Sequence, residues 1–230
     1  MPRRGAGSLA ITRAVLEAYG TTCHLCKRPG ATSRDHLIPY SFGGTDDLNN
    51  LRPAHVRCNS KRSNRALNGY GATIRVVMGP PAAGKSTYVR DQASLGDVVI
   101  DLDRIARALM PEGVDLPTHV YPEHVRHVAI GARRAAIDRA CRLTGTGATV
   151  WIIHADPSPD DLELYRFLRY DLVTIDPGRD VVERRAAADR PPEFRRHVAR
   201  WYARHATPAA LASTSAATTS VAVPTPTTYW

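Results

Sequence analysis

Cys23-x2-Cys26 and His55-x2-Cys58, with 28 residues between them, are two pairs of soft donors at zinc-ligand spacing. Three thiolates and one imidazole fill a tetrahedron, so the zinc they imply is structural. They take three of the chain's four cysteines, and the fourth, Cys141, lies in a helical pattern and reads as a small core residue. His24 sits between the first two donors as a competitor that spacing disfavours. Between the pairs run Asp35-His36, Pro39, Gly43-Gly44 and Asn49-Asn50, and Asn59 follows Cys58. A neutral imidazole accepts a proton from water near pH 7, and carboxylate and amide oxygens suit a hard cation such as Mg²⁺ or Mn²⁺.

A second stretch handles phosphate. Gly79-x4-Gly84-Lys85-Ser86-Thr87 matches the Walker A pattern, with an apolar run before it and a helical segment after it. Gly79 and Gly84 let backbone N–H groups turn inward on phosphates, Lys85 reaches the β/γ-phosphates, and Ser86 holds Mg²⁺. With Thr87 these residues are the expected ATP site.

Residues 20–65 resemble the HNH endonuclease family in its zinc-bearing form. The resemblance rests on the donor pairs, Asp35-His36-Leu37-Ile38-Pro39, Gly43-Gly44, Asn49-Asn50-Leu51 and Cys58-Asn59-Ser60-Lys61. It implies a ββα-metal fold, His36 as general base, Asp35 and Asn59 as ligands of a catalytic Mg²⁺ or Mn²⁺, and Asn50 as the brace of the loop carrying the base. His55 stands where many relatives have cysteine. Arg52, Arg57, Lys61, Arg62 and Arg65 are expected phosphate contacts. A zinc-stapled fold that binds DNA without cutting it is the alternative.

The segment after the phosphate loop resembles the 5′-hydroxyl polynucleotide kinases and zeta-toxin-like kinases. The resemblance rests on the loop, on Val99-Ile100-Asp101-Leu102-Asp103-Arg104 and on the arginine-rich Val182-Glu183-Arg184-Arg185 running to Arg190. It implies Asp103 as the base for an acceptor hydroxyl, with Asp101 as rival, and Arg190, then Arg184, as the lid arginine. Ala106 stands where phage relatives carry a substrate-binding arginine; Arg107 is the substitute. His154 and Asp156 follow a strand at the edge where substrate groups gather. HNH cleavage leaves 5′-phosphates, so such a kinase acts on ends made elsewhere. The alternatives are a nucleic-acid-binding ATPase switch without transfer, and a small-molecule kinase that uses the zinc domain for docking.

These residues need elements to hold them. An amphipathic helix is expected over 8–19, then a loop-rich, zinc-dependent segment over 21–61. Asn68-Gly69-Tyr70-Gly71 reads as a domain boundary. Strands over 74–78, 98–100, 149–153 and 172–175 alternate with helices from 85 onward and over 103–110, 124–143, 180–188 and 193–206, which predicts a parallel sheet covered on both faces. The expected organisation is α/β: an HNH domain over 1–70, a doubly wound P-loop kinase domain over 71–206, and a disordered tail over 207–230, which has no charged residue.

The 230-residue chain carries a net charge of +9. Residues 1–70 hold 11 Lys/Arg against 4 Asp/Glu, whereas 71–206 hold 20 against 18. The excess lies where DNA or RNA would bind. Its three lysines are outnumbered by 28 arginines, whose planar forks suit phosphate. No apolar run is long enough to cross a bilayer and no secretory signal opens the chain, so a cytoplasmic location, in a bacterium or a phage-infected cell, is expected.

Overall fold

The computed structural model describes residues 6–113, 119–143, 147–192 and 194–205. The tail expected over 207–230 lies outside the described residues. Helix α1 (Ala6–Tyr19) leads to a two-stranded antiparallel hairpin, β1 (Ser33–His36) and β2 (Leu51–Ala54), and then to α2 (Val56–Arg62). Asp35 pairs with Arg52 and His36 with Leu51 in the hairpin register. Side chains alternate across a strand, so neighbours Asp35 and His36 face opposite ways. Asp35 is buried and His36 half-buried. Arg34 anchors α1 through Nη1, which donates to the Ser8 carbonyl at 2.7 Å and to Thr12 Oγ1 at 2.7 Å.

The larger unit is a four-stranded parallel sheet in the order β4-β5-β3-β6: β3 (Thr73–Met78), β4 (Val98–Ile100), β5 (Thr149–Ile153) and β6 (Asp171–Thr174). Its central strands are apolar runs because both faces are covered. On one face Ile74, Val76, Val150 and Ile152 pack with residues of α5 (Glu123–Ala140) and α6 (Pro159–Phe167). On the other, Val77 and Trp151 pack with Val89 of α3 (Lys85–Gln92). Helix α4 (Leu102–Ala108) packs on α5. Helices α7 (Arg179–Asp189) and α8 (Phe194–His205) form a pair whose core, Val182, Ala186 and Val198, closes on Ala83 of the loop before α3.

Helix α6 escaped the sequence reading, although its start is well marked. Ser158 caps Asp161 N at 3.1 Å, Asp161 accepts from Ser158 N at 3.0 Å, and Pro159 opens the first turn.

The expected boundary at 68–71 is a packed corner. Asn68 Oδ1 accepts from Ile74 N at 2.8 Å and its Nδ2 donates to Ile74 O at 3.0 Å, so its amide extends the sheet edge. Ala66 and Leu67 are fully buried beside it. Cys23, Leu25, Ala31 and Ala54 of the N-terminal module lie in the same apolar cluster as Ile74 and Val76. The two units therefore share a core. Among the described residues no helix is long and apolar enough to cross a membrane.

Candidate functional site

The zinc donors converge as expected. Cys23, Cys26, His55 and Cys58 bring their ligand atoms within 4.8 Å of one another, from the loop after α1, from the residue before α2 and from the first turns of α2. His55 Nδ1 lies 3.3 Å from Cys26 Sγ and 3.8 Å from Cys58 Sγ. Zinc–sulfur bonds of about 2.3 Å give a tetrahedron with edges of about 3.8 Å, so the donor set fits zinc. His55 Nε2 donates to Pro29 O at 3.0 Å, which leaves the Nδ1 lone pair for the metal. Burial pushes the Cys58 thiol up to about 12, while the Arg28 backbone N–H holds Cys26 below its usual range. A divalent ion resolves that conflict by keeping all three sulfurs ionised. His24 is turned from the cage, with Nε2 2.8 Å from Asp35 Oδ2.

The Asp35-His36 pair closes β1. Asn50 holds the loop that follows: its Oδ1 accepts from Ile38 N at 2.9 Å, and its Nδ2 donates to Ile38 O at 3.1 Å and Thr45 O at 2.9 Å. Gly44 is required there, since a Cβ would stand 1.8 Å from Ile38 O. His36 Nε2 meets Asp46 Oδ1 at 2.9 Å, a partner the sequence reading did not single out. Asn59 Nδ2 donates to Arg34 O at 3.1 Å, tying α2 to β1.

One expectation needs correction here. Arg62 does not face solvent as a phosphate contact: it is fully buried and donates from Nη1 to Asp35 Oδ2 at 2.7 Å and to His36 O, from Nη2 to Leu37 O at 2.7 Å, and from Nε to Arg65 O at 3.0 Å. The Asp35 carboxylate therefore shares its Oδ2 between Arg62 and His24. The strand alternation that exposes His36 turns its neighbour inward. Of the other expected phosphate contacts, Lys61 pairs with Glu163 at 2.7 Å and Arg52 lies over the Tyr19 ring at 4.3 Å, whereas Arg57 is exposed.

The loop 79–84 leads from β3 into α3 along the carboxyl edge of the sheet. Gly79 has φ +137°, and a Cβ there would stand 2.0 Å from Ile175 O. Lys85 Nζ donates to the carbonyls of Gly79 at 3.0 Å and Pro80 at 2.7 Å, folding over the loop. Burial, then the charge of Arg190, push its ammonium down to about 8. Ser86 Oγ donates to Asp101 Oδ2 at 3.1 Å, and Asp101 is buried and caps α4 by accepting from Asp103 N at 3.1 Å. Asp103 Oδ2 lies 2.7 Å from His119 Nδ1. Burial opposes its ionisation, but His119, Arg190 and Lys85 outweigh that and hold the carboxyl below its usual range. The arrangement brings together a half-buried cation, a hydroxyl on a buried carboxylate and, two residues on, a second carboxylate. A cation and a hydroxyl of this kind can meet anionic oxygens, and a carboxylate can accept a proton.

Other expected residues take different places. Arg184 lines a groove between α7 and α8 with Glu183, Ala187 and Arg195. Its neighbour Arg185 reaches the loop: a Cβ on Gly84 would meet Arg185 Nη1 at 3.7 Å. One helical position is a rotation of about 100°, which gives the two arginines different neighbours. His154 Nδ1 lies 3.0 Å from Tyr165 Oη, and burial with the charge of Arg133 lowers its pKa. Asp156 pairs with Arg204 at 2.6 Å, a latch between β5 and α8.

Residues 23–65 match the HNH endonuclease family. The matched segment and the Cys3His cluster coincide, and together they form an HNH-type zinc-binding domain, followed by an α/β region with a four-stranded parallel sheet. The match ends before β3. No curated protein matches the chain.

Proposed function

We propose that the chain is a two-site nucleic-acid-processing enzyme: an HNH endonuclease joined to an ATP-dependent kinase of 5′-hydroxyl ends. The observation that carries the first activity is the zinc-donor cage together with a hairpin that leaves His36 half-buried, beside the Asn50-braced loop. His36 takes a proton from water, the water oxygen bonds to phosphorus, and the bond to the 3′ oxygen breaks. A hard divalent cation, when bound, offsets the charge that builds on the phosphate. Asn59 and Asp35 are the oxygen donors this reading assigns to it, Asp35 through a carboxylate whose Oδ2 is held by Arg62 and His24.

The kinase is supported by Ser86 Oγ at 3.1 Å from Asp101, with Asp103 two residues on in the first turn of α4. In this reading the loop, Lys85 and Ser86 hold Mg-ATP, the hydroxyl oxygen bonds to the γ-phosphorus as the bond to ADP breaks, and its proton passes to Asp103. Arg190 and Arg185 cover the transferring group.

Incubating the full chain with γ-labelled ATP, 5′-hydroxyl oligonucleotides and supercoiled plasmid tests both halves. Labelled ends and Mg²⁺- or Mn²⁺-dependent nicking are expected. His36→Ala removes nicking and spares labelling, and Lys85→Ala does the reverse. Free phosphate without labelled ends replaces the kinase with an ATPase switch, and labelling of a small hydroxyl compound alone replaces it with a metabolite kinase.

A further inference from the structure

We propose that Phe194, flanked by His119, His197 and Arg190, is the shelf on which the acceptor's terminal nucleobase stacks. This rests on the kinase reading above and names the acceptor as a polynucleotide. The Phe194 ring opens α8 and is half-buried. His119 lies 6.3 Å away at a tilt of 60°, His197 lies 5.7 Å away at 58°, and the Arg190 guanidinium carbon is 5.2 Å from the ring centroid. His119 reaches Asp103 Oδ2 at 2.7 Å, so this ring surface begins one side chain from the proposed base.

A 5′-hydroxyl is separated from its base by one sugar. A nucleoside that brings its hydroxyl to Asp103 therefore brings its base to the rings. Aromatic faces accept any base, and a guanidinium adds cation–π attraction. The shelf is held in register with the phosphate loop, because Val198 of α8 packs with Val182 and Ala186 on Ala83. Beyond Phe194 the helix exposes Arg195, Arg196 and Arg200 and contains no acidic residue. Arginines along an exposed face can follow the phosphates of the next nucleotides. A small polyol has no use for either feature.

The test compares oligonucleotides whose 5′-hydroxyl terminal residue is normal or abasic, with wild-type, Phe194→Ala and Phe194→Tyr full-length protein. Binding is read by anisotropy with a non-hydrolysable ATP analogue present, and transfer by end-labelling. Stacking of one base predicts that Phe194→Ala raises Kd and KM for the normal acceptor about 5- to 100-fold. The abasic acceptor should be unaffected by the variant, and Phe194→Tyr should restore the normal one. Within the wild type the abasic acceptor should itself bind more weakly by a similar factor, a comparison independent of whether the variant folds. Equal weakening for both acceptors, or no base dependence in the wild type, overturns the shelf. Base- and Phe194-dependent binding without labelled ends leaves the shelf standing and removes the kinase.

Discussion

Replacing Arg62 by Met should be among the most damaging single changes in the N-terminal module, although Arg62 touches neither zinc nor solvent. Its guanidinium is fully buried and makes bonds to the Asp35 carboxylate and to the carbonyls of His36, Leu37 and Arg65. Methionine fills similar volume, so the loss is electrostatic rather than a cavity. It leaves the Asp35 carboxylate buried with His24 as its remaining partner, and stranding one member of a buried pair costs about 3–5 kcal/mol. The exposed Lys61–Glu163 pair gives the internal contrast: Lys61→Met should cost less than about 1 kcal/mol. Urea unfolding followed by far-UV circular dichroism, with zinc content measured in parallel, reads both. Because Arg62 also fixes the carbonyls of His36 and Leu37, nicking should fall while zinc stays bound. A cost for Arg62→Met no larger than that for Lys61→Met would refute the reasoning. The double variant Asp35→Asn/Arg62→Met should recover part of the loss, since no charge is then stranded.

Other consequences can be measured on the same material. One zinc per chain is expected by atomic absorption. A chelator should lower the melting temperature of the whole chain, since Cys23 and Ala54 share a core with Ile74 and Val76; an unchanged sheet transition would count against the shared core. Gly79→Ala should abolish nucleotide binding in a titration calorimeter, because its Cβ would stand 2.0 Å from Ile175 O, and retained affinity would contradict the loop geometry. Lys85 is depressed to about 8 from its ordinary 10.5. Polyphosphate favours the charged form, so ATP affinity is fullest below pH 8 and falls about tenfold per unit above it. The unliganded protein shows the opposite sign: its unfolded form binds more protons between about 8 and 10.5, so stability rises with pH across that window. Lys85→Met should remove both dependences.

Much of this was legible because spacing encodes it. Two x2 donor pairs are a local statement of a tetrahedron, and the cage formed as expected. Strands 98–100 and 149–153 fell where apolar runs placed them, since a strand covered on both faces needs no pattern beyond its run. What escaped is tertiary. Nothing in Arg62 distinguishes a buried anchor from a phosphate contact; its role depends on α2 turning one face onto β1. Arg184 and Arg185 are equivalent in a string, and only the helix phase against Gly84 separates them. The His36–Asp46 contact spans a ten-residue loop whose path is set by Asn50. Helix α6 is the exception, since it escaped although Ser158-Pro159-Asp160-Asp161 carries a full local start signal.

Arg169 reaches from the turn after α6 to donate to the His24 carbonyl at 2.7 Å, inside the first donor pair. Severing the polypeptide at the glycine corner would strip that hook and bare the apolar wall formed by Leu25, Leu67 and Leu168. Each fragment would then carry a greasy scar and tend to clump, so neither half is suited to life apart from the other.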